Sequence, residues 1–113
     1  MRHLIESQQL NQELILNIFS IADKLNKKTD NSLKGKIMAS LFYEPSTRTR
    51  FSFESAMLRS GGSVITTENA KEFSSAAKGE TLEDTIRVMN HYADIIVLRH
   101  YEKGASERAA AVS

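Results

Sequence analysis

The sequence predicts an α/β fold in three layers, a mostly parallel sheet with helices on both faces. Two observations carry this expectation. Short apolar runs at 37–43, 63–67 and 95–98 alternate with stretches of helical periodicity, and strands that alternate with helices build a parallel sheet covered on both sides. The chain also has 113 residues, 41% of them hydrophobic, with five Gly and one Pro, enough for one modest domain with a core.

The first helix is read from LNQELILNIFSIADKLNKK, where Leu10, Leu14, Ile18, Ile21, Ala22 and Leu25 recur at spacings of three and four. Asn11 is its expected N-cap, with Leu10 and Ile15 at the spacing of a hydrophobic staple. It should end near Lys27, and the basic residues Lys24, Lys27 and Lys28 suit the negative pole of its dipole. The run 37–43 in KIMASLFYE reads as a buried strand, which Pro45 ends. STRTRFSFESAMLRSGG reads as a helix over about 47–58, with Phe51, Ser55 and Leu58 on one face, Phe53 and Met57 beside it, and Gly61 and Gly62 as its stop. SVITT is a short strand, and ENAKEFSSAAKG, without a period, reads as a surface loop. TLEDTIRVMNHYA places Leu82, Ile86, Met89 and Ala93 at helical spacing behind the capping residue Thr81. DIIVLRH gives the last strand, and KGASERAAAVS is still helical in character where the chain stops, which suggests a chain that is truncated there.

Charge and composition narrow the function. Fifteen Lys plus Arg against fourteen Asp plus Glu leave a formal net charge of +1, so no global field recruits nucleic acid, and any anion site has to be local. The aromatic content of 7% falls mostly at apolar positions, unlike a base-stacking surface. Cysteine is absent, which excludes disulfides and thiolate chemistry. MRHLIESQQ lacks the apolar core of a signal peptide and no run reaches the roughly 20 apolar residues of a spanning helix, so the reading is a cytoplasmic protein without membrane contact. No cofactor loop is present as GxGxxG or as GxxxxGK followed by Ser or Thr, and no spacing suits a metal site.

In a parallel sheet, ligands sit beyond the carboxyl ends of the strands, where loops enter helices. Three polar clusters are expected there: 46–50, the residues around Lys78, and Arg99 with His100. Free N–H groups at a helix start attract an anion; Ser46, Thr47 and Thr49 add hydroxyls, and Arg48 adds a planar fork for phosphate oxygens. Arg50 lies two positions further on and is expected in a salt bridge or a subunit contact. The bland alternatives are an ordinary capped helix with solvated arginines, a solvated Lys78 and Ser74, a surface His91, and a His100 that supports or meets a neighbour. With no serine, histidine and carboxylate set, the chemistry points to holding an acyl or phosphoryl compound and drawing off its negative charge beside a second reactant.

FYEPSTRTRFSFESAMLRSGG resembles the carbamoyl-phosphate motif of the transcarbamoylases, and SSAAKGETLEDT with DIIVLRH is similar to the aspartate-specific branch of that family. The resemblance runs over essentially the whole chain. It implies that residues 1–113 are a carbamoyl-phosphate-binding domain, cut short at its C-terminal end, with the amino-acid-binding domain absent. It implies transfer of a carbamoyl group from carbamoyl phosphate to the α-amine of L-aspartate in pyrimidine synthesis, without a cofactor, with ornithine as the alternative acceptor and a non-catalytic assembly piece as the alternative role. By motif, Ser46, Thr47, Arg48 and Thr49 hold the phosphate, and Thr49 and Arg99 contact the carbamoyl oxygen. A histidine outside this sequence would assist them, while Arg48 and Lys78 offset charge on the departing phosphate. Ser74 and Lys78 are expected in the site of the adjacent subunit of a homotrimer, with regulatory chains left open. Tyr101, where the family often has proline, departs from the pattern and puts the course of that loop in question.

Overall fold

The computed structural model describes residues 1–26, 28–67 and 79–113. A turn of 3-10 helix at Ser7–Gln9 precedes α1 (Gln12–Leu25); then follow β1 (Ile37–Phe42), α2 (Thr47–Arg59), β2 (Ser63–Thr67), α3 (Leu82–Tyr92), β3 (Ile95–Arg99) and α4 (Ala105–Val112). The strands form a parallel sheet of order β2-β1-β3, with Ile37 opposite Ser63 and Met38 opposite Ile95. β1 is central and both its faces are covered, which is why its run is apolar throughout rather than alternating.

Successive side chains of β1 serve different layers. Ala39, Leu41 and Tyr43 join Leu82 and Ile86 of α3 and Ala105 and Ala109 of α4 in one core, with Met89 and Ala93 packed against it. This is the face that the helical spacing of 82–93 predicts. Met38, Ser40 and Phe42 line the other face, over which α2 packs on β1 and β2, with Met57 as its buried residue. The stripe Phe51, Ser55 and Leu58 faces outward instead, Phe51 and Leu58 being more than half exposed. The inner stripe contains Arg50 and Glu54, each side chain 15% exposed and paired at 3.8 Å, with Thr66 of β2 donating to Glu54 at 2.6 Å. A charged inner stripe is invisible to an apolar period, and this is the physical reason for the difference.

The capping residues sit as the sequence predicts. Asn11 Oδ1 accepts from the Leu14 amide at 2.8 Å and Thr81 Oγ1 from the Asp84 amide at 3.2 Å. Beyond the end of α2 the chain turns through Gly61, whose φ of 84° carries no Cβ penalty in glycine and whose amide donates to the Leu58 carbonyl at 3.1 Å, and a Cβ on the next residue, Gly62, would collide with the Met57 side chain. No residue of α1 is buried, and Ile18, Phe19, Ile21 and Leu25 of this helix are exposed. Its period announces an apolar face without saying what covers it.

Candidate functional site

The carboxyl ends of β1 and β3 lie side by side because Phe42 pairs with Arg99 and the Tyr43 amide donates to the Arg99 carbonyl at 2.9 Å. From the end of β1 the chain turns at Pro45 into α2. The first intrahelical bond runs from the Arg50 amide to the Ser46 carbonyl at 2.9 Å, so the amino end of α2 opens beside the end of β3. The sequence thus delivers two predicted elements, the STRTR segment and Arg99, to one point.

Ser46 occupies the N-cap position but its hydroxyl does not cap the helix. It accepts instead from Arg99 Nη1 at 2.8 Å. The amides of the first turn therefore receive no N-cap side chain, and they carry the positive end of the helix dipole. Arg48, exposed in that first turn, brings a second cation to the same end. Thr47 and Thr49 are likewise exposed, and the Thr49 carbonyl accepts from Ser52 Oγ at 2.8 Å. Open amides, hydroxyls and the Arg48 guanidinium around one helix start are the groups that a multiply charged oxyanion would bind, and the Arg99 guanidinium stands beside them.

Arg99 Nε also donates to Glu44 Oε1 at 2.9 Å. With the side chains 45% and 39% exposed, such a pair contributes about 0.2–1 kcal/mol, less than the roughly 1.5–3 kcal/mol of one well-formed hydrogen bond to a charged group. Glu44 orients the arginine and leaves it available. The residue reading overlooks Glu44; the signal for it was its place directly after a strand that the parallel register aligns with the strand carrying Arg99.

His100 does not join this cluster, contrary to the expectation that Arg99 and His100 converge. Successive residues at a strand end face opposite ways, so with Arg99 on the α2 side His100 lies on the other. There its ring centroid is 4.6 Å from that of Tyr43 and 4.3 Å from that of Tyr101, on which it stacks. Burial lowers the His100 pKa from the ordinary value and raises that of Tyr43. The neighbouring Arg108 pairs with Glu102 at 2.9 Å and with Glu83 at 2.6 Å, and its hydrogen bond holds the Glu102 carboxyl low. His91 is exposed on α3, with Nδ1 2.9 Å from the Arg87 carbonyl, as a surface histidine should be. Ser74 and Lys78 lie outside the described residues. No group of three or more His, Cys, Asp or Glu among the described residues could hold a metal.

The aspartate/ornithine carbamoyltransferase, carbamoyl-P binding domain, family matches residues 2–113. The chain belongs to this family. Aspartate carbamoyltransferase 1, chloroplastic, of Pisum sativum is 62% identical over 97% of the chain, and the aspartate carbamoyltransferase catalytic subunit of Methanocaldococcus jannaschii is 52% identical over all of it. The solved M. jannaschii catalytic subunit superposes with a TM-score of 0.90 at 52% identity. The aspartate transcarbamoylase of Trypanosoma cruzi, solved with carbamoyl phosphate and aspartate, superposes over 99% of the chain with a TM-score of 0.90 at 38% identity. The chain spans 30% of the pea protein and 38% of the M. jannaschii and T. cruzi chains. The part of a carbamoyltransferase that it matches is the part named for carbamoyl phosphate, in keeping with an anion receptor at the amino end of α2.

Proposed function

We propose that these residues form the carbamoyl-phosphate half of an enzyme that transfers the carbamoyl group to the α-amine of L-aspartate, giving N-carbamoyl-L-aspartate and phosphate for pyrimidine synthesis. The observation that carries the reading is the Arg99–Ser46 bond at a helix start with no side-chain cap. It brings a guanidinium from one strand end to an anion-binding helix start at the next.

In the proposed reaction the amine lone pair attacks the carbamoyl carbon, the bond between that carbon and the bridging oxygen breaks, and phosphate departs with the oxygen and the electron pair while the amine's proton passes to the departing phosphate. The domain's contribution is electrostatic. The first-turn amides of α2 with Ser46, Thr47, Arg48 and Thr49 hold the phosphate; Arg99 and Thr49 face the carbonyl oxygen as it gains charge. Lys78 and Ser74 complete the site from an adjacent copy in a homotrimer, and the amino-acid-binding domain lies in the rest of the polypeptide. The exposed Phe51, Phe53 and Leu58 of α2 support an assembled state, since so much apolar surface on one helix gains from being covered. No cofactor takes part.

Aspartate rather than ornithine is supported by the aspartate carbamoyltransferases among its relatives and by the SSAAKGE and VLRH segments. The test is phosphate release by the intact polypeptide that carries this domain, given carbamoyl phosphate with and without L-aspartate. Release that depends on aspartate is expected; release indifferent to any amino acid would refute the proposal.

A further inference from the structure

His100 follows Arg99 but belongs to the opposite face of the sheet, which raises the question of what it does there. Three contacts answer it. Its Nδ1 accepts from the Glu102 amide at 3.0 Å, its ring lies 4.6 Å from that of the buried Tyr43, and it stacks on Tyr101 at 4.3 Å. Tyr43 is the residue whose amide holds the Arg99 carbonyl, and Glu44, the next residue, holds the Arg99 side chain. His100 and Tyr43 thus clamp two adjoining strand ends behind Arg99, on the side away from the anion site. The bond to Glu102 fixes the first turn after the strand at the same time.

We propose that His100, as a neutral imidazole accepting the Glu102 amide and packed on Tyr43, is a positioning residue that sets where the Arg99 guanidinium stands at the amino end of α2. The inference rests on the carbamoyl-phosphate reading. An N–H can donate only to an unprotonated Nδ1, so the proton sits on Nε2 and protonation of Nδ1 replaces this bond with a repulsive contact. The groups around the ring are Glu102, Glu83, Glu80, Glu44, Arg108, Tyr43 and Tyr101; Glu102, Glu44 and Glu83 favour the charged ring, Arg108 and burial oppose it, and burial is the largest influence. The ring borders a cleft of about 410 Å³ whose wall includes Glu80, Glu83 and Arg108. It does not border the helix start, so its effect on a ligand there passes through Arg99.

Two probes separate this role from a contribution to folding. Carbamoyl phosphate engages Arg99 through its carbonyl oxygen, whereas inorganic phosphate offers only the group held by α2. In the intact polypeptide, His100→Leu should weaken carbamoyl phosphate binding about tenfold, the scale of one hydrogen bond, and leave phosphate binding within about twofold. His100→Asn, whose Oδ1 stands where Nδ1 was, should recover most of the loss. From about pH 7.5 to about pH 5 the wild type should lose carbamoyl phosphate affinity relative to His100→Asn. Equal weakening of both anions, or none, in His100→Leu would overturn the proposal. Should that variant fail to fold, a wild-type to His100→Asn affinity ratio that stays constant across the same pH range would overturn it. A wild type that binds carbamoyl phosphate no better than phosphate would instead refute the functional reading on which the inference rests.

Discussion

Arg48 and Arg99 approach the same helix start from different elements, and they are held differently. Arg99 has both Glu44 and Ser46 as partners, while Arg48 is exposed in the first turn of α2. On the proposed reading Arg48 holds the phosphate, so Arg48→Ala should reduce turnover of the intact polypeptide by roughly a hundredfold or more, measured as carbamoyl-aspartate formed. Near-normal kinetics would refute its role. These side chains were legible because each follows a predicted strand, and parallel strands bring such positions together. Glu44 was legible only through its place after the run 37–43, since a lone acidic residue before proline carries no pattern of its own. His100 departs from the expected cluster because neighbouring side chains at a strand end diverge to opposite faces.

Helices and strands show where periodicity is informative. The period at 82–93 names the buried face of α3 because Leu82, Ile86, Met89 and Ala93 meet the core there, and Ile86 is 1% exposed. Ile86→Ala should therefore destabilise the fold by about 2–5 kcal/mol in denaturant melts. Thr81→Ala should cost about 1 kcal/mol through loss of the cap to the Asp84 amide. A melt unchanged by either substitution would contradict the packing described for α3. The same reasoning fails on α2, where the inner stripe is the Arg50–Glu54 pair with Met57, and its apolar residues Phe51 and Leu58 point away. Ion pairs under a sheet follow from which charges meet, and only the folded arrangement decides that. On α1 the period is correct as a helix signal, yet no residue of that helix is buried.

At the scale of the whole molecule, stability should respond to pH in two windows. His100 has a folded-state pKa below its ordinary 6.5, so the unfolded chain binds more protons there, and stability falls as pH drops below about 6.5. Asp94, held low by the Ile37 amide, and Glu102, held low by Arg108, contribute stability that is present above their ordinary values of 3.8 and 4.5 and lost as pH falls further. Melting temperatures against pH should show both declines in the wild type, and only the lower one in His100→Asn. An unchanged upper window in that variant would remove His100 from the account. The sheet order, both covered faces and the meeting of β1 and β3 ends serve one purpose in this reading, which is to hold a small anion at the start of α2 with its reacting carbon open to a second substrate. The most direct test supplies the intact polypeptide with carbon-labelled carbamoyl phosphate and equal concentrations of L-aspartate and L-ornithine, and identifies the labelled product. The account predicts N-carbamoyl-L-aspartate with matching release of phosphate; labelled citrulline, or phosphate without a carbamoylated amino acid, would contradict it.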